Sequence, residues 1–222
     1  MLTVPMPTAE TAETAFRKLV SDVLERCSSG IQRDVERLRT KHPHMSDREL
    51  ANIVVARYRR RAGCAGALTG AGGAITMPVT IPAGVLTSWV IATQTVLAVA
   101  TVYDYSPDDE QLLFDVMMVI AADSVVATLQ QMTSISAQHV SKRAIQKYVT
   151  REVMVHINKV VPRKVLTKAG QQSLTSFTKL APLVGAPVGY CFEHVFITGV
   201  GRKAIAWYSL DADLEPSVHA AA

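Results

Sequence analysis

Residues 57–105 read RYRRRAGCAGALTGAGGAITMPVTIPAGVLTSWVIATQTVLAVATVYDY, and this stretch decides how the rest of the chain is interpreted. It opens with a cluster of arginines and then carries no charged side chain from Ala62 to Tyr103. One membrane-spanning helix needs roughly 20 apolar residues, and this interval is about twice as long. We therefore predict an apolar helical hairpin over residues 62–103, with the other helices packed around it.

The composition favours helices over sheets. Hydrophobic residues make up 49% of the 222 residues but aromatic residues only 6%, so Ala, Val, Ile, Leu and Met supply most of the apolar mass. We predict an all-α protein of about eight helices around two or three highly apolar central ones. Its parts would be an N-terminal helical arm (1–45), a helical domain (46–208) and a disordered acidic tail (209–222).

Charge and cysteine usage indicate where such a protein acts. The net charge is +4, and the densest basic cluster lies beside the apolar stretch, which favours an anionic membrane surface over nucleic acid. Three widely spaced cysteines suggest reduced thiols, and the N-terminus lacks the pattern of a signal peptide. We expect a cytoplasmic protein peripheral to the inner membrane, or one delivered to a target cell by a signal-free machine.

The N-terminal region has the periodicity of an amphipathic helix. Apolar residues recur at helical spacing from Ala9 to Ser28, and Ser28–Gly30 predicts a stop. A second helical segment follows over 31–41, and His42–His44, with Pro43 between the histidines, should break it. Those two histidines have no further ligand set nearby, so we interpret the segment as a solvated turn and predict no metal site.

The next helix begins with a capping box and leads into the basic cluster. In Ser46–Glu49 the serine can cap the glutamate amide while the glutamate reaches back to the serine amide. On an ideal helix Arg57, Arg60 and Arg61 share a face, and Arg59 points off it. One interpretation is that these arginines contact anionic headgroups or a protein partner. The other is a solvated helix end, where the cations interact favourably with the negative end of the helix dipole.

Glycines follow the arginines at spacings of three, four and three residues: Gly63, Gly66, Gly70 and Gly73. This spacing keeps all four on one helical face, where two backbones can approach closely. Each glycine costs about 1 kcal/mol relative to alanine inside a helix, so the face needs a compensating contact. We predict a closely packed helix over residues 63–75. The spacing fits neither a phosphate-binding loop nor a dinucleotide fingerprint.

The second half of the hairpin leaves two interpretations open. Pro78 and Pro82 should break the backbone, and residues 83–103 then have the length of a membrane span. Gln94 lies in this run and needs a hydrogen-bond partner. A helix buried by other helices and a helix inserted into a bilayer both explain the pattern.

A further apolar helix should begin at Ser106–Glu110, with Ser106 as its cap. Aspartates interrupt it at positions 115 and 123. A buried aspartate requires a partner, and the basic residues of the last helix are the candidates. For Asp123 we name Arg202 and Lys203.

The last helix carries Cys191 and His194, three residues apart. A thiol and an imidazole can form a nucleophile and its base, but this spacing in an apolar stretch favours simple packing. The sequence contains no catalytic motif, so we predict no catalytic residue and no cofactor. A hydrolase with an unrecognised site, using His194, Cys191 or Asp123, remains an alternative.

Three segments carry a family resemblance: AGALTGAGG at 65–73, VYDYSPDDE and the helix after it at 102–114, and LAPLVGAPVG at 180–189. In this order they resemble the EcsC family of bacterial proteins, and more distantly the small helical domains that accompany some membrane-associated bacterial GTPases. The resemblance covers roughly residues 60–208 and leaves the first fifty outside. Relatives often place glycine where this chain has Asp104.

What the resemblance implies is an all-helical protein without known catalytic residues, named after a protein encoded beside a membrane transporter. We expect a non-enzymatic accessory or adaptor protein that docks on anionic lipid or on a membrane protein, such as a transporter or a GTPase. A homo-oligomer is compatible with this. The second interpretation is a toxin or effector without a signal peptide that inserts its hairpin into a target membrane.

Overall fold

The computed structural model describes residues 9–71, 73–108, 110–120 and 182–212. They form five helices: α1 (Ala9–Lys41), α2 (Asp47–Ala71), α3 (Gly73–Val102), α4 (110–120) and α5 (Pro182–Ala212). These ranges contain no strand, which confirms the all-α class. The helix count of about eight and the division of the chain at residues 45 and 208 stay predictions.

The first helix is longer than its sequence suggests. The predicted stop at Ser28–Gly30 is wrong, because α1 continues through these residues to Lys41. One stripe of buried residues, which includes Val20, Val35 and Leu38, continues on both sides of Ser28–Gly30. Packing of an amphipathic face contributes more to helix stability than local propensity does, so the serines and the glycine are tolerated. The helix ends just before Pro43, as predicted.

The capping box at the start of α2 is confirmed. The Ser46 amide donates to Glu49 Oε2 at 2.9 Å, and the Glu49 amide donates to Ser46 Oγ at 3.4 Å. The Ser46 hydroxyl also donates to Glu49 Oε2, at 2.7 Å. The hydroxyl and then the amide of Ser46 lower the pKa of Glu49, because both bonds favour the ionised carboxylate.

The hairpin differs from its prediction in two places. The helix expected over 63–75 ends at Ala71, so Gly73 begins α3 and lies off the glycine face of α2. Glycine has a low helix propensity and adopts turn conformations freely, which is compatible with a helix boundary at Gly73. The expected break at Pro78 and Pro82 is wrong, because α3 is helical from Gly73 to Val102. Its later residues, 91–100, are all buried, and this packing stabilises the helix as a whole.

The capping residue of α4 lies two positions later than predicted. Asp108, rather than Ser106, is the capping residue, since its Oδ1 accepts from the Gln111 amide at 2.8 Å. A carboxylate at this position also interacts favourably with the positive end of the helix dipole.

One core joins the helices around the later half of α3. The largest fully buried aliphatic side chains are Val20, Leu38, Val96, Val99, Val102, Leu112, Val116, Val119 and Ile197. α1 packs on α3, where the ring of Phe16 meets Trp89 edge to face at 4.7 Å. Gln94 finds a partner there, because its Nε2 donates to Cys27 Sγ at 3.2 Å. The N-terminal helix therefore belongs to the same core.

Across the ranges that the structure covers, no helix is both long enough and apolar enough to qualify as a membrane span.

Candidate functional site

α2 and α5 cross with their backbones in contact. A methyl group placed on Gly66 would collide with the carbonyl of Gly189, and one placed on Gly70 would collide with the carbonyl of Gly185. The reverse is also true, since methyl groups on Gly185 and Gly189 would meet the carbonyls of Gly70 and Gly66. Residue numbers rise along one helix as they fall along the other, so the helices are antiparallel. We call these four residues the glycine crossing.

Polar and aromatic side chains surround the glycine crossing. Gly63 faces the ring of Tyr190, and Tyr190 stacks on the imidazole of His194 with ring centres 5.7 Å apart. Cys191 is exposed. The ring of His194 is thus used in packing against an aromatic neighbour, which agrees with a structural interpretation of the Cys191 and His194 pair.

Glu193 links this region to α3. Its Oε1 accepts from the Ser88 hydroxyl at 2.5 Å, while its Oε2 is buried and has no hydrogen-bond partner in the structure. Burial raises the pKa of Glu193, and the bond from Ser88 partly offsets that increase. The half-buried carboxyl therefore binds a proton more tightly than an exposed glutamate does. Sequence reasoning missed it, because nothing near position 193 marks a contact with α3.

The predicted basic cluster lies on the outer side of α2. Arg57, Arg60 and Arg61 are exposed, whereas Arg59 is half-buried and its Nε has no hydrogen-bond partner in the described structure. We call the three exposed residues the arginine face. Tyr58 lies half-buried between them, and burial raises its pKa to about 12. The face therefore presents three cations to solvent, with Arg59 turned away from them.

An apolar side chain continues this exposed side of α2. Leu68 follows Arg61 by seven residues, which is two helical turns, and 78% of it is exposed. Cys64 lies between them and is also exposed. On α3, Leu86 is 57% exposed. Isolated exposed leucines are common on protein surfaces, but Leu68 lies close to the end of α2 at Ala71, on the segment that follows the arginine face.

A buried acidic site lies between α4 and α5. Asp115 has no exposed surface, and its carboxylate accepts from Trp207 Nε1 at 3.0 Å and from the Tyr208 hydroxyl at 2.6 Å. The ring of Tyr105 packs on Tyr208 with centres 5.4 Å apart. These partners belong to the last helix, as expected, and they are aromatic hydrogen-bond donors.

The sequence also predicts an ion pair between Asp123 and a basic residue of the last helix. Asp123 lies outside the described residues. Arg202 is exposed and Lys203 is half-buried on α5. An ion pair between Asp123 and either residue stays a prediction.

Arg39 joins three helix ends, which the sequence did not reveal. Its Nη2 donates to the Val102 carbonyl at the end of α3, to Asp47 Oδ1 at 3.2 Å and to Asp104 Oδ2 at 3.1 Å. Asp104 has a φ of 59°, in the left-handed region that glycine adopts most easily. Glycine would adopt this conformation at position 104 without strain.

In the portions of the chain that the structure covers, no three His, Cys, Asp or Glu side chains come together to hold a metal ion.

Comparison with known proteins gives one match. The family model described as the EcsC protein family matches residues 2–210. The match begins at residue 2, so it also includes α1, which the resemblance in the sequence had left outside. Searches among curated proteins and among solved structures found no match.

Proposed function

We propose that this chain, which belongs to the EcsC protein family, is a non-enzymatic accessory protein that docks on an anionic membrane surface through the arginine face. The observation that carries the proposal is the placement of Arg57, Arg60 and Arg61, all exposed on one side of α2. Each basic side chain near an anionic surface contributes on the order of 1 kcal/mol, and the contribution decays within a Debye length.

The exposed leucines supply a short apolar contact beside these cations. Leu68 lies close to the junction of α2 and α3 and Leu86 lies near the middle of α3, whereas residues 91–100 of α3 are buried among other helices. Inserting the whole of α3 into a bilayer would remove these residues from the core. Shallow contact by the junction leaves the core intact, so this mode of docking is the one we favour. A membrane protein that presents acidic residues would use the same cations.

Vesicle co-sedimentation tests the proposal. The parent should bind vesicles that contain phosphatidylglycerol at low salt, and it should not bind vesicles of phosphatidylcholine alone. The variant R57Q/R60Q/R61Q should lose this binding, and high salt should have the same effect on the parent, because screening weakens exposed charge interactions. Replacing Leu68 by serine should weaken binding and make it more sensitive to salt.

A matched variant controls for net charge. R26Q/R48Q/R202Q removes the same number of exposed cations from other parts of the structure. It should bind like the parent if the arginine face is the docking surface. Equal loss in both triple variants would show a non-specific charge effect, and equal binding of the parent to neutral vesicles would contradict electrostatic docking. Absence of binding to every vesicle would favour a protein partner.

A further inference from the structure

A second cationic surface lies on α1, separate from the arginine face. Arg33, Arg37 and Lys41 follow one another at intervals of four residues on the exposed side of the helix. The buried residues Val35 and Leu38 lie on its other side. A solvent-open cavity of about 530 Å³ lies against this segment. Its described lining consists of Arg33, Glu36, Arg37, Thr40 and Lys41, which we call the cationic groove.

Most hydrogen-bond donors of the cationic groove are uncommitted. Arg33 donates only from Nε, to the Ser29 carbonyl at 3.1 Å. Arg37 reaches Asp34 at 3.5 Å, in a pair whose side chains are both largely exposed, and such pairs contribute little. For Lys41 Nζ and the terminal nitrogens of Arg33, no partner occurs among the described residues. These donors are therefore available to a ligand.

The spacing of the cations restricts the ligand. Side chains four residues apart on a helix lie about 6 Å from each other, so the three cations span about 12 Å along α1. Glu36 adds one negative charge within the same groove. A single small anion would meet one or two cations together with this carboxylate. A ligand that carries several negative charges along its length would meet all three cations.

Phosphate groups fit this arrangement better than carboxylates do, because a phosphate monoester carries a charge of about −1.5 to −2 at neutral pH and a carboxylate carries only a single negative charge. Arginine forms bidentate hydrogen bonds with phosphate oxygens, and lysine contributes a compact charge at the end of the row.

We propose that the cationic groove binds an anion with two or more phosphate groups, either linked in one soluble molecule or presented side by side as lipid headgroups. This site goes beyond the proposed function, because it lies on α1 and does not require the arginine face. The phosphates lie along Arg33, Arg37 and Lys41, and Glu36 disfavours anions of low charge.

Isothermal titration with inorganic tripolyphosphate at low salt tests the soluble form of the ligand. The parent should bind, and the variant R33Q/R37Q/K41Q should bind at least about tenfold more weakly, because it loses charge-assisted hydrogen bonds. K18Q/R48Q/R202Q removes the same number of exposed cations outside both cationic surfaces and should bind within about twofold of the parent. Sulfate, as a compact anion, should bind much more weakly. Circular dichroism and thermal unfolding verify that each variant is folded.

Vesicles that contain phosphatidate distinguish the lipid form of the ligand. Tripolyphosphate binding that depends on the groove supports a soluble ligand. Binding to phosphatidate vesicles that depends on the groove, without tripolyphosphate binding, supports lipid headgroups. If neither probe binds, or if R33Q/R37Q/K41Q binds as tightly as the parent, the proposal is wrong. A failure of R57Q/R60Q/R61Q to affect any vesicle would contradict the docking proposal alone.

Discussion

Gly70 and Gly185 contact each other reciprocally, since each lacks a side chain where the other presents its carbonyl. Gly66 and Gly189 repeat this relationship one turn away. Four helical glycines would cost roughly 4 kcal/mol in isolated helices, at about 1 kcal/mol each. Close packing of the two backbones compensates for this cost, so the glycine crossing should be the position in α2 least tolerant of a side chain.

Substitutions within the crossing should destabilise the protein. Gly66→Ala and Gly189→Ala each introduce a methyl group against a backbone carbonyl, and backbones cannot move aside without separating the helices. We expect each variant to lose about 1–3 kcal/mol of unfolding free energy, and Gly70→Leu to prevent folding. Denaturant unfolding measures the losses.

Two glycines outside the crossing provide the control. Gly30 in α1 and Gly199 in α5 have no atoms within 4 Å of the position that a Cβ would occupy. Their replacement by alanine should therefore stabilise the protein, by about 0.5–1 kcal/mol. If Gly189→Ala were as stable as Gly199→Ala, the two helices would not be in backbone contact.

The sequence predicted the glycine contact only in part. Its period showed that Gly63, Gly66 and Gly70 share a face, because helical spacing is a local property. It did not identify Gly185 and Gly189 as the opposing residues. The periodicity of one helix shows which of its residues share a face, but it does not show which distant segment packs on that face. Local signals also predicted breaks at Ser28–Gly30 and at the prolines of α3, where burial of the helices in the core proved stronger than propensity.

The acidic and cationic contacts show a similar limit. The need of Asp115 for a partner on the last helix was foreseeable from an aspartate in an apolar helix, but the choice of Trp207 and Tyr208 depends on how α5 is rotated. The contacts of Arg39 depend on where three helix ends meet. Tertiary packing determines where helix ends come together, and a short segment of sequence carries no signal of it.

Substitutions at Asp104 measure the free-energy cost of its left-handed backbone conformation. Asp104→Gly and Asp104→Ala both remove the carboxylate that accepts from Arg39, but only alanine keeps a Cβ at a φ of 59°. The glycine variant should be more stable than the alanine variant by about 1 kcal/mol. Thermal unfolding of both, beside the parent, provides the measurement. Equal stability would mean that residue 104 is not left-handed in solution.

Asp115 should be essential to the packing of α4 on α5. Asp115→Ala leaves the Trp207 indole and the Tyr208 hydroxyl without this buried acceptor, and each such loss costs about 1–3 kcal/mol. We therefore expect a loss of about 2–6 kcal/mol for the variant. Tyr208→Phe removes one donor and should lose about 1–2 kcal/mol. Denaturant midpoints compare the two. A nearly neutral Asp115→Ala would show that the carboxylate is solvated.

Glu193 should make stability depend on pH. Burial raises the pKa of Glu193 in the folded state above its ordinary value of 4.5. The protonated carboxyl therefore stabilises the folded state fully below pH 4.5, and this contribution is lost as the pH rises through the folded-state pKa. Glu193→Gln, which cannot ionise, should therefore be more stable than the parent near neutral pH, and this advantage should shrink as the pH falls towards 4.5. Unfolding curves across this range measure the difference.

The partner of Glu193 gives an independent check. Ser88→Ala removes the hydrogen bond that offsets the effect of burial, so the pKa of Glu193 should rise further and the pH window should move upward. A constant difference between Glu193→Gln and the parent at all pH values would contradict burial of the carboxyl.

The glycine crossing also has a consequence for synthesis of the chain. About 115 residues separate Gly70 from Gly185, so α2 leaves the ribosome long before the helix that covers its glycine face exists. At roughly 5–20 residues per second, the nascent chain waits roughly 6–23 s for that partner. During this interval α2 has glycines but no packing to compensate for them. The nascent hairpin is then open to chaperones, or to the surface of a membrane, before the α5 segment has been made.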